Sequence, residues 1–270
     1  MNEVLYKELE SIVPERMTEG AYRFFSDAFW ILQFHQNIEH TAKVLDEFGR
    51  TTGRLFLSEE DLVPIKRDLW TRLESDGFKA VAKGRKFDSF QMQMLFSRFV
   101  DSFLTYVSEI LVTIFRAKPE ALRSGEQVKL EDILKHNNME DLVNFLVERK
   151  VHRLSYQGLG ELNLALKNEL GFPLFVGVGE LSSAKALVEQ RNLLAHSRGV
   201  VNQIFLQRVP NSQYKIGEKI EIDTQSLAQT LQFLAMVVVQ VDGRAITQFG
   251  IEPTHSKPKP APATNSPSLG

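Results

Sequence analysis

Residues 88–115 read DSFQMQMLFSRFVDSFLTYVSEILVTIF, and this stretch decides the fold class. Large apolar side chains recur in it at steps of three or four residues, which places them on one side of an α-helix. They are Met92, Phe96, Phe99, Phe103, Tyr106, Ile110 and Ile114. Polar and charged residues interrupt the stretch, among them Arg98, Asp101, Ser102, Ser108 and Glu109. We therefore interpret it as a core helix and not as a membrane span.

The same periodicity predicts helices through most of the chain. Glycines at 49 and 77 are expected to end the first two, and Ser182 and Ser183 to cap the helix that ends near 197. The predicted helices cover 19–48, 58–74, 88–118, 131–134, 140–155, 161–170, 182–197 and 223–248. The fold class is therefore mostly all-α.

Apolar and polar residues alternate in two short segments, 200–205 and 214–222, with Pro210-Asn211-Ser212 between them. Such alternation predicts a small β-hairpin or extended pair at about 200–222. We divide the chain into an N-terminal helical extension over 1–84, a helical domain over 85–250 and a tail over 251–270. The tail is rich in Pro, Ser, Ala and Lys and is expected to be disordered.

The composition excludes several classes of chemistry. The 270 residues are 43% apolar and 24% charged, and the net charge is −2, so no global field attracts a polyanion. There is no cysteine, which rules out disulfides, thiolate nucleophiles and iron–sulfur clusters. The N-terminus has neither the basic region nor the apolar run of a signal peptide. We expect a cytoplasmic protein that does not enter a membrane and uses no cofactor.

A metal site is not expected either. None of the six histidines pairs with another at the three- or four-residue spacing that puts two ligands on one helix face. The Gly177-Val178-Gly179 loop precedes a helix, but it lacks the Gly-Lys-Ser/Thr of a phosphate-binding loop. We interpret this loop as a turn.

The segment 185–199 is the best functional candidate. Lys185, Glu189, Asn192 and His196 follow one another at spacings of four, three and four residues, which gives a narrow polar stripe on a helix. The rest of this helix is apolar, so the helix is expected to be buried. Its polar stripe would then need a partner, water or a ligand. The alternative is a helix whose exposed edge is merely polar.

Arg191 strengthens the candidate. It lies off the polar stripe, and a half-buried guanidinium needs a carboxylate, a phosphate or carbonyl groups. Residues 185–219 hold six basic and two acidic side chains, a local positive excess in a slightly acidic chain. This excess favours an anionic ligand. A solvated basic face would explain the same charges.

The motif Arg191-Asn192, three residues and then His196 resembles the signature of the HEPN superfamily. The sequence that follows is similar to the region after that motif in bacterial defence and toxin proteins of the superfamily. It consists of Ser197-Arg198-Gly199-Val200-Val201-Asn202 and then residues 205 and 214–220. The resemblance covers about 189–222. It implies an up-and-down four-helix core and ribonuclease activity without a metal or cofactor, at a composite site of a homodimer.

The resemblance implies a role for each motif residue. His196 would be the acid/base residue, Arg191 would hold the scissile phosphate, and Asn192 would orient His196 or the substrate. Lys185, Glu189, Arg198 and Asn202 are the candidate substrate-binding residues. The products would be a 2′,3′-cyclic phosphate and a 5′-hydroxyl. RNA, a second copy and an antitoxin or regulator are the expected partners.

Two other functions compete with this one. The chain could be a non-catalytic module of the same superfamily that binds RNA, a nucleotide or a protein. It could also be an all-helical interaction protein in which Arg191 and His196 are structural. Mutation separates these functions, because structural residues affect stability and catalytic residues affect cleavage.

Overall fold

The computed structural model describes residues 2–57, 64–122, 128–156 and 158–258. The chain is mostly helical, which confirms the all-α prediction. The helices are α1 (Asn2–Ile12), α2 (Glu19–Leu57), α3 (Pro64–Ala117), α4 (Leu130–Leu134), α5 (Met139–Tyr156), α6 (Leu159–Leu170), α7 (Val178–Ser197), α8 (Gln203–Arg208) and α9 (Thr224–Phe249). A 3-10 turn covers Pro119–Leu122, and β1 (Arg16–Met17) and β2 (His255–Ser256) form a two-stranded antiparallel sheet.

Helix α3 is the centre of the fold and packs against α2, α5, α7 and α9. The stripe that the sequence predicts is its buried side: all seven of the periodic apolar residues between 92 and 114 are buried. Phe24 and Phe25 of α2 lie in the same hydrophobic core as Leu9 of α1 and Val238 of α9. The N-terminal helices thus share one core with the region after residue 84.

Helices α2 and α3 form an antiparallel pair. Residues 23, 27 and 35 of α2 contact residues 109, 98 and 91 of α3, so the numbering of the two helices runs in opposite directions. The predicted helix ends at Gly49 and Gly77 are wrong, because α2 and α3 continue through both positions. One glycine in a helix costs only about 1 kcal/mol. The predicted helix start at 58–61 lies outside the described residues.

The prediction of a small β-hairpin or extended pair at about 200–222 is right at its two ends and wrong between them. Residues 199–201 pair antiparallel with 217–220 through a bridge between Val200 and Lys219 and through backbone hydrogen bonds such as that from the Val201 N–H to the Glu218 carbonyl at 2.8 Å. A short helix, α8, occupies residues 203–208 between these ends. Asn202 explains the difference, because its Oδ1 accepts a hydrogen bond from the Phe205 N–H at 2.9 Å and starts the helix. Phe205 is then buried in the core.

The tail is described up to residue 258, and the prediction of disorder is wrong for 252–258. His255 and Ser256 pair with Met17 and Arg16, and the Lys257 N–H donates to the Glu15 carbonyl at 3.0 Å. Main-chain pairing needs no apolar side chains, so composition did not predict it. Residues 259–270 lie outside the described part of the chain.

A buried carboxylate joins α9 to the start of α2. Asp242 is 1% exposed, and its two oxygens accept hydrogen bonds from the backbone N–H of Thr18 at 3.1 Å and from the Thr18 hydroxyl at 2.5 Å. Burial raises the pKa of the Asp242 carboxyl above its ordinary value, while the Thr18 bonds act in the opposite direction.

We expect Asp242→Ala to lower the free energy of unfolding by about 1–3 kcal/mol, because both Thr18 donors lose their partner. Chemical denaturation measures the loss. A raised folded-state pKa contributes stability that is fully present below the ordinary value of 3.8 and is lost as the pH rises through the folded value. The difference in the free energy of unfolding between the parent protein and Asp242→Ala should therefore shrink as the pH rises. Glu221→Ala, at an exposed acid, is the control. An equal loss of stability in Asp242→Ala and Glu221→Ala would contradict the conclusion that Asp242 stabilises the fold through Thr18.

Candidate functional site

The candidate site lies on the last turns of α7. This helix begins at Val178, four residues before the predicted Ser182 and Ser183 caps, so that prediction is wrong. The Glu180 carboxylate accepts a hydrogen bond from the Gly177 N–H at 3.2 Å and caps the helix there. Helix α7 is continuous to Ser197, so the predicted spacing of the polar stripe holds.

The expectation that α7 is buried is wrong. Within it only Ala184 and Leu193 are buried, and the other apolar side chains are partly or largely exposed. The helix packs against α3, α6 and α8, which cover part of its circumference. The end of α7 that carries His196 is therefore accessible from solvent.

A sharp change of direction ends α7. Arg198 and Gly199 have positive φ angles of 53° and 79°. The Gly199 N–H donates to the Leu193 carbonyl at 2.9 Å, which satisfies one of the free carbonyls at the helix end. A β-carbon at residue 199 would lie 3.2 Å from Leu194 Cδ2, so glycine fits this position for steric reasons as well.

Arg191 is held against α3. Its Nε lies 2.8 Å from Oδ1 of Asp101, and its Nη1 donates a hydrogen bond to Oδ1 of Asn192 at 3.3 Å. The Nε–H is not aligned for a hydrogen bond, so the contact with Asp101 is an ion pair. The Arg191 side chain is 28% exposed, so part of the guanidinium faces solvent. In the described part of the chain, Nη2 donates to no protein acceptor.

His196 is exposed on the last turn of α7. Its ring makes no hydrogen bond or ion pair with any residue that the structure describes. The two motif residues are five positions apart, which corresponds to about 7.5 Å along the helix axis and about 140° around it. A ligand that contacts both must therefore span the side of the helix between them.

The segment 199–222 brings a further cation to this end of α7. Lys219 pairs with Val200, and the Ile220 N–H donates to the Gly199 carbonyl at 2.8 Å. Lys219 Cγ would lie 3.7 Å from a β-carbon at residue 199. The Lys219 side chain is exposed and, like that of Arg198, has no ion-pair partner among the described residues.

The predicted substrate-binding residues separate into two groups. Arg198 and Lys185 are exposed, although Lys185 lies beside Gly160 of α6, about 16 Å from His196 along the axis of α7. Glu189 and Asn202 are engaged in the fold. Both oxygens of Glu189 accept hydrogen bonds from Arg208, at 3.1 and 3.2 Å, and Asn202 caps α8.

Sequence reasoning missed Asp101 and Lys219 as members of this site. Asp101 is ninety positions from Arg191, and in the sequence it is one of several polar interruptions of a core helix. In the sequence, Lys219 is one of six basic residues between 185 and 219, and nothing local distinguishes it from the others. The Gly199 turn is the one signal that could have placed it, because a reversal there returns the chain toward α7.

Two further properties of the described residues bear on the site. They hold no cluster of three or more His, Asp or Glu side chains that could bind a metal ion. Among them, no helix is long and apolar enough to cross a membrane.

Comparisons of the chain with protein-family models, with curated proteins and with solved structures find no match. The resemblance to the HEPN superfamily therefore stays a prediction that rests on the residues of 189–222.

We expect Asn202→Ala to lower the free energy of unfolding by about 1 kcal/mol, because α8 loses its cap. Asn202→Ser keeps an acceptor oxygen and should lose less. Thermal and chemical denaturation measure both variants. If Asn202→Ser kept full stability but weakened RNA binding, Asn202 would be a substrate-binding residue after all.

A double-mutant cycle over Arg191→Ala and Asp101→Ala tests the ion pair between α7 and α3. Both side chains are about one-third exposed, so solvent screens the pair and the coupling should be no more than about 1 kcal/mol. The coupling should fall as salt is added. Zero coupling at low salt would mean that the contact does not hold α7 in place.

Proposed function

We propose that this protein is a metal-independent endoribonuclease of HEPN type, of the kind that serves as a toxin or anti-phage defence effector. One observation carries the proposal: His196 is exposed on the last turn of a helix whose Arg191 is already oriented by Asp101 and Asn192. A reactive imidazole and an anion-binding guanidinium thus lie on one short, well-supported segment.

The chemistry needs only these side chains and the RNA. His196 accepts the proton of a ribose 2′-hydroxyl as that oxygen attacks the adjacent phosphorus. The bond from phosphorus to the 5′-oxygen of the next nucleotide breaks, and this oxygen leaves as a hydroxyl because the imidazolium of His196 gives it the proton taken from the 2′-hydroxyl. The products are a 2′,3′-cyclic phosphate and a 5′-hydroxyl end. Imidazole suits both proton transfers, since it exchanges protons near neutral pH.

Arg191 stabilises the charge that develops on the phosphate. A guanidinium presents several N–H donors in one plane, which matches two phosphate oxygens. The contacts of Nε and Nη1 leave Nη2 without a described protein acceptor, and the side chain is 28% exposed. Asp101 and Asn192 hold the fork in place, which reduces the entropy lost when a phosphate binds.

Arg198 and Lys219 supply the electrostatic contribution to RNA binding. Both are exposed at the end of α7 that carries His196, and neither has a described ion-pair partner. Cations placed in this way attract phosphates on either side of the cleaved bond regardless of base sequence. A regulator protein that covered this end would restrain the enzyme. The proposal also expects a homodimer, in which a second copy completes the site.

The Asp101 contact favours one alternative, a non-catalytic module that binds RNA, a nucleotide or a protein. Arg191 already has a carboxylate partner within its own chain, and a phosphate must compete with that partner for the guanidinium. In such a module, Arg191 would be mainly structural and binding would depend on the exposed cations Arg198 and Lys219.

The test is incubation of the purified protein with a 3′-labelled RNA of mixed sequence in EDTA. We expect cleavage that leaves 2′,3′-cyclic phosphate and 5′-hydroxyl ends. His196→Ala should lower the rate by about 10²–10⁴-fold, as for loss of an acid/base residue. Arg191→Ala should lower it by about 10²–10³-fold, as for loss of an electrostatic donor.

His152→Ala, which changes another exposed histidine, is the matched control and should cleave at the parent rate. Circular dichroism establishes that each variant is folded. Equal cleavage by the parent and the His196→Ala protein would show that the activity is not at this site. A folded parent that leaves RNA intact but binds it, with affinity lost in Arg198→Ala and Lys219→Ala, would favour the binding module.

A further inference from the structure

One side of α3 carries a line of residues that leads away from the candidate site. Asp101, which holds Arg191, is on this line, and Met94 and then Phe90 precede it at steps of seven and four residues. The line is opposite the buried stripe of the same helix. Phe90 and Met94 are 59% and 55% exposed, so this part of the line is open to a ligand.

The same line continues into a basic part of α3. Lys86, Lys83 and Lys79 precede Phe90 at steps of four, three and four residues, and the helix is continuous over these positions. Residues 77–87 contain four basic residues and no acidic one. Cations and large apolar residues thus follow one another along one side of one helix. We give the name α3 track to Lys79, Lys83, Lys86, Phe90 and Met94.

Helix α7 runs antiparallel to α3. Lys185 lies beside the start of α6, which closely follows Ser155 of α5, and Ser155 bonds Ser108 of α3. Six residues further along α7, Arg191 meets Asp101 of α3, seven residues before Ser108. The contact therefore moves toward lower residue numbers of α3 as α7 proceeds.

The last turn of α7 consequently adjoins the α3 track. Residues 196–198 continue beyond Arg191 in the direction of Met94. Arg198 is seven residues after Arg191, which places both on the side of α7 that is turned to α3. Arg198 is exposed. The cation at the end of α7 and the exposed part of the track thus belong to one surface.

Helix α2 adds two aromatic side chains to this surface. Phe34 and Trp30 are 56% and 65% exposed. Asp27 of α2 and Arg98 of α3 form an ion pair at 2.7 Å, which marks where the two helices meet. Phe34 is seven residues after Asp27, and Met94 is four residues before Arg98, so each is on the side of its helix that carries the ion pair.

Two acids border this surface, and both are neutralised by arginines. Asp27 pairs with Arg98 at 2.7 Å, and Asp101 pairs with Arg191 at 2.8 Å. A paired carboxylate repels a phosphate much less than a free one does. The surface therefore combines exposed aromatic rings with basic residues, which is the combination that single-stranded nucleic acids require.

We propose that the α3 track binds single-stranded RNA whose cleaved bond lies at the end of α7. The basic residues attract phosphates, and unpaired bases stack on Phe90 and Phe34. A duplex keeps its bases stacked on one another, so it cannot use these rings. Lys79 and Asp101 are about 33 Å apart along α3, enough for about eight nucleotides, within the roughly 4–16 of known single-strand sites.

The order of the residues favours RNA over other occupants. Cations and apolar residues succeed one another in a narrow line that ends at Arg191, as a single strand requires. A lipid surface contacts a broad side of a helix pair, and an apolar protein partner does not need the lysines. The choice of RNA as the ligand rests on the proposed function, but binding to the track does not depend on cleavage.

The test is fluorescence anisotropy of the full chain with a labelled eight-nucleotide 2′-O-methyl RNA in EDTA. Its blocked 2′-oxygens cannot attack phosphorus, so binding is measured without cleavage. Phe90→Ala should raise Kd by about tenfold, as for loss of one stacked base. The double variant Lys83→Gln, Lys86→Gln should also bind about tenfold more weakly, and its salt dependence should fall by about 0.7 in log Kd per log salt for each lysine.

Matched controls are on α6. Leu164→Ala removes a 58% exposed leucine and Lys167→Gln an exposed lysine, and both should bind like the parent. Circular dichroism establishes that each variant is folded. Acetylation by acetic anhydride, read by mass spectrometry, adds a measurement on the unaltered protein. The bound oligonucleotide should protect Lys83 and Lys86 and leave Lys167 as reactive as before.

Four results would overturn the proposal. The parent could fail to bind the oligonucleotide at about 100 µM, the weak end of non-specific binding. It could bind the same oligonucleotide equally well when annealed to its complement. The folded track variants could bind like the parent, which would place the RNA elsewhere. The parent could bind vesicles of anionic phosphatidylserine but no oligonucleotide, with vesicle binding lost in Phe90→Ala, which would assign the track to a lipid surface.

Failure of the track and failure of the ribonuclease give different results. If the parent cleaves RNA of mixed sequence and the track variants cleave it equally well, the proposed function stands and the track is wrong. If the parent binds the oligonucleotide through the track but cleaves no RNA, the track stands and the non-catalytic binding module replaces the ribonuclease.

Discussion

The packing of α3 is the constraint on which the rest of the structure depends. This helix contacts α2, α5, α7 and α9, and its buried side supplies much of the hydrophobic core. Burial of so many phenylalanine and isoleucine side chains on one helix is the largest favourable contribution available to this fold. Helices α2, α5, α7 and α9 are each placed by the part of α3 that they cover.

The polar residues that interrupt α3 specify which helix packs where. Arg98 and Ser102 both bond Asp27 of α2, and Asp101 pairs with Arg191 of α7. Ser108 bonds Ser155 of α5 at 3.2 Å. Apolar contacts alone would tolerate a slide of one helix along another, whereas these polar contacts are satisfied in one register. The candidate site inherits its geometry from this arrangement, since the residue that orients Arg191 belongs to α3.

The same arrangement connects stability with the proposed chemistry. Arg191 both attaches α7 to the core and is the proposed phosphate donor, so its substitution affects two properties at once. His196 and Lys219 carry no comparable structural contact among the described residues. Substitutions of His196 and Lys219 are therefore expected to change ligand binding while they disturb the fold least.

The sequence by itself determined most of the helices and the buried side of α3, because the periodicity of apolar residues is a local property that packing then uses. It also determined the spacing of Lys185, Glu189, Asn192 and His196, which follows once α7 is a continuous helix. Tertiary structure alone decided that Asp101 meets Arg191 and that His255 and Ser256 pair with β1. Each of these contacts joins residues that are distant in the chain, and no local pattern encodes them. The lengths of α2 and α3 were also not determined by the sequence pattern, because a glycine within a helix costs only about 1 kcal/mol and does not by itself end the helix.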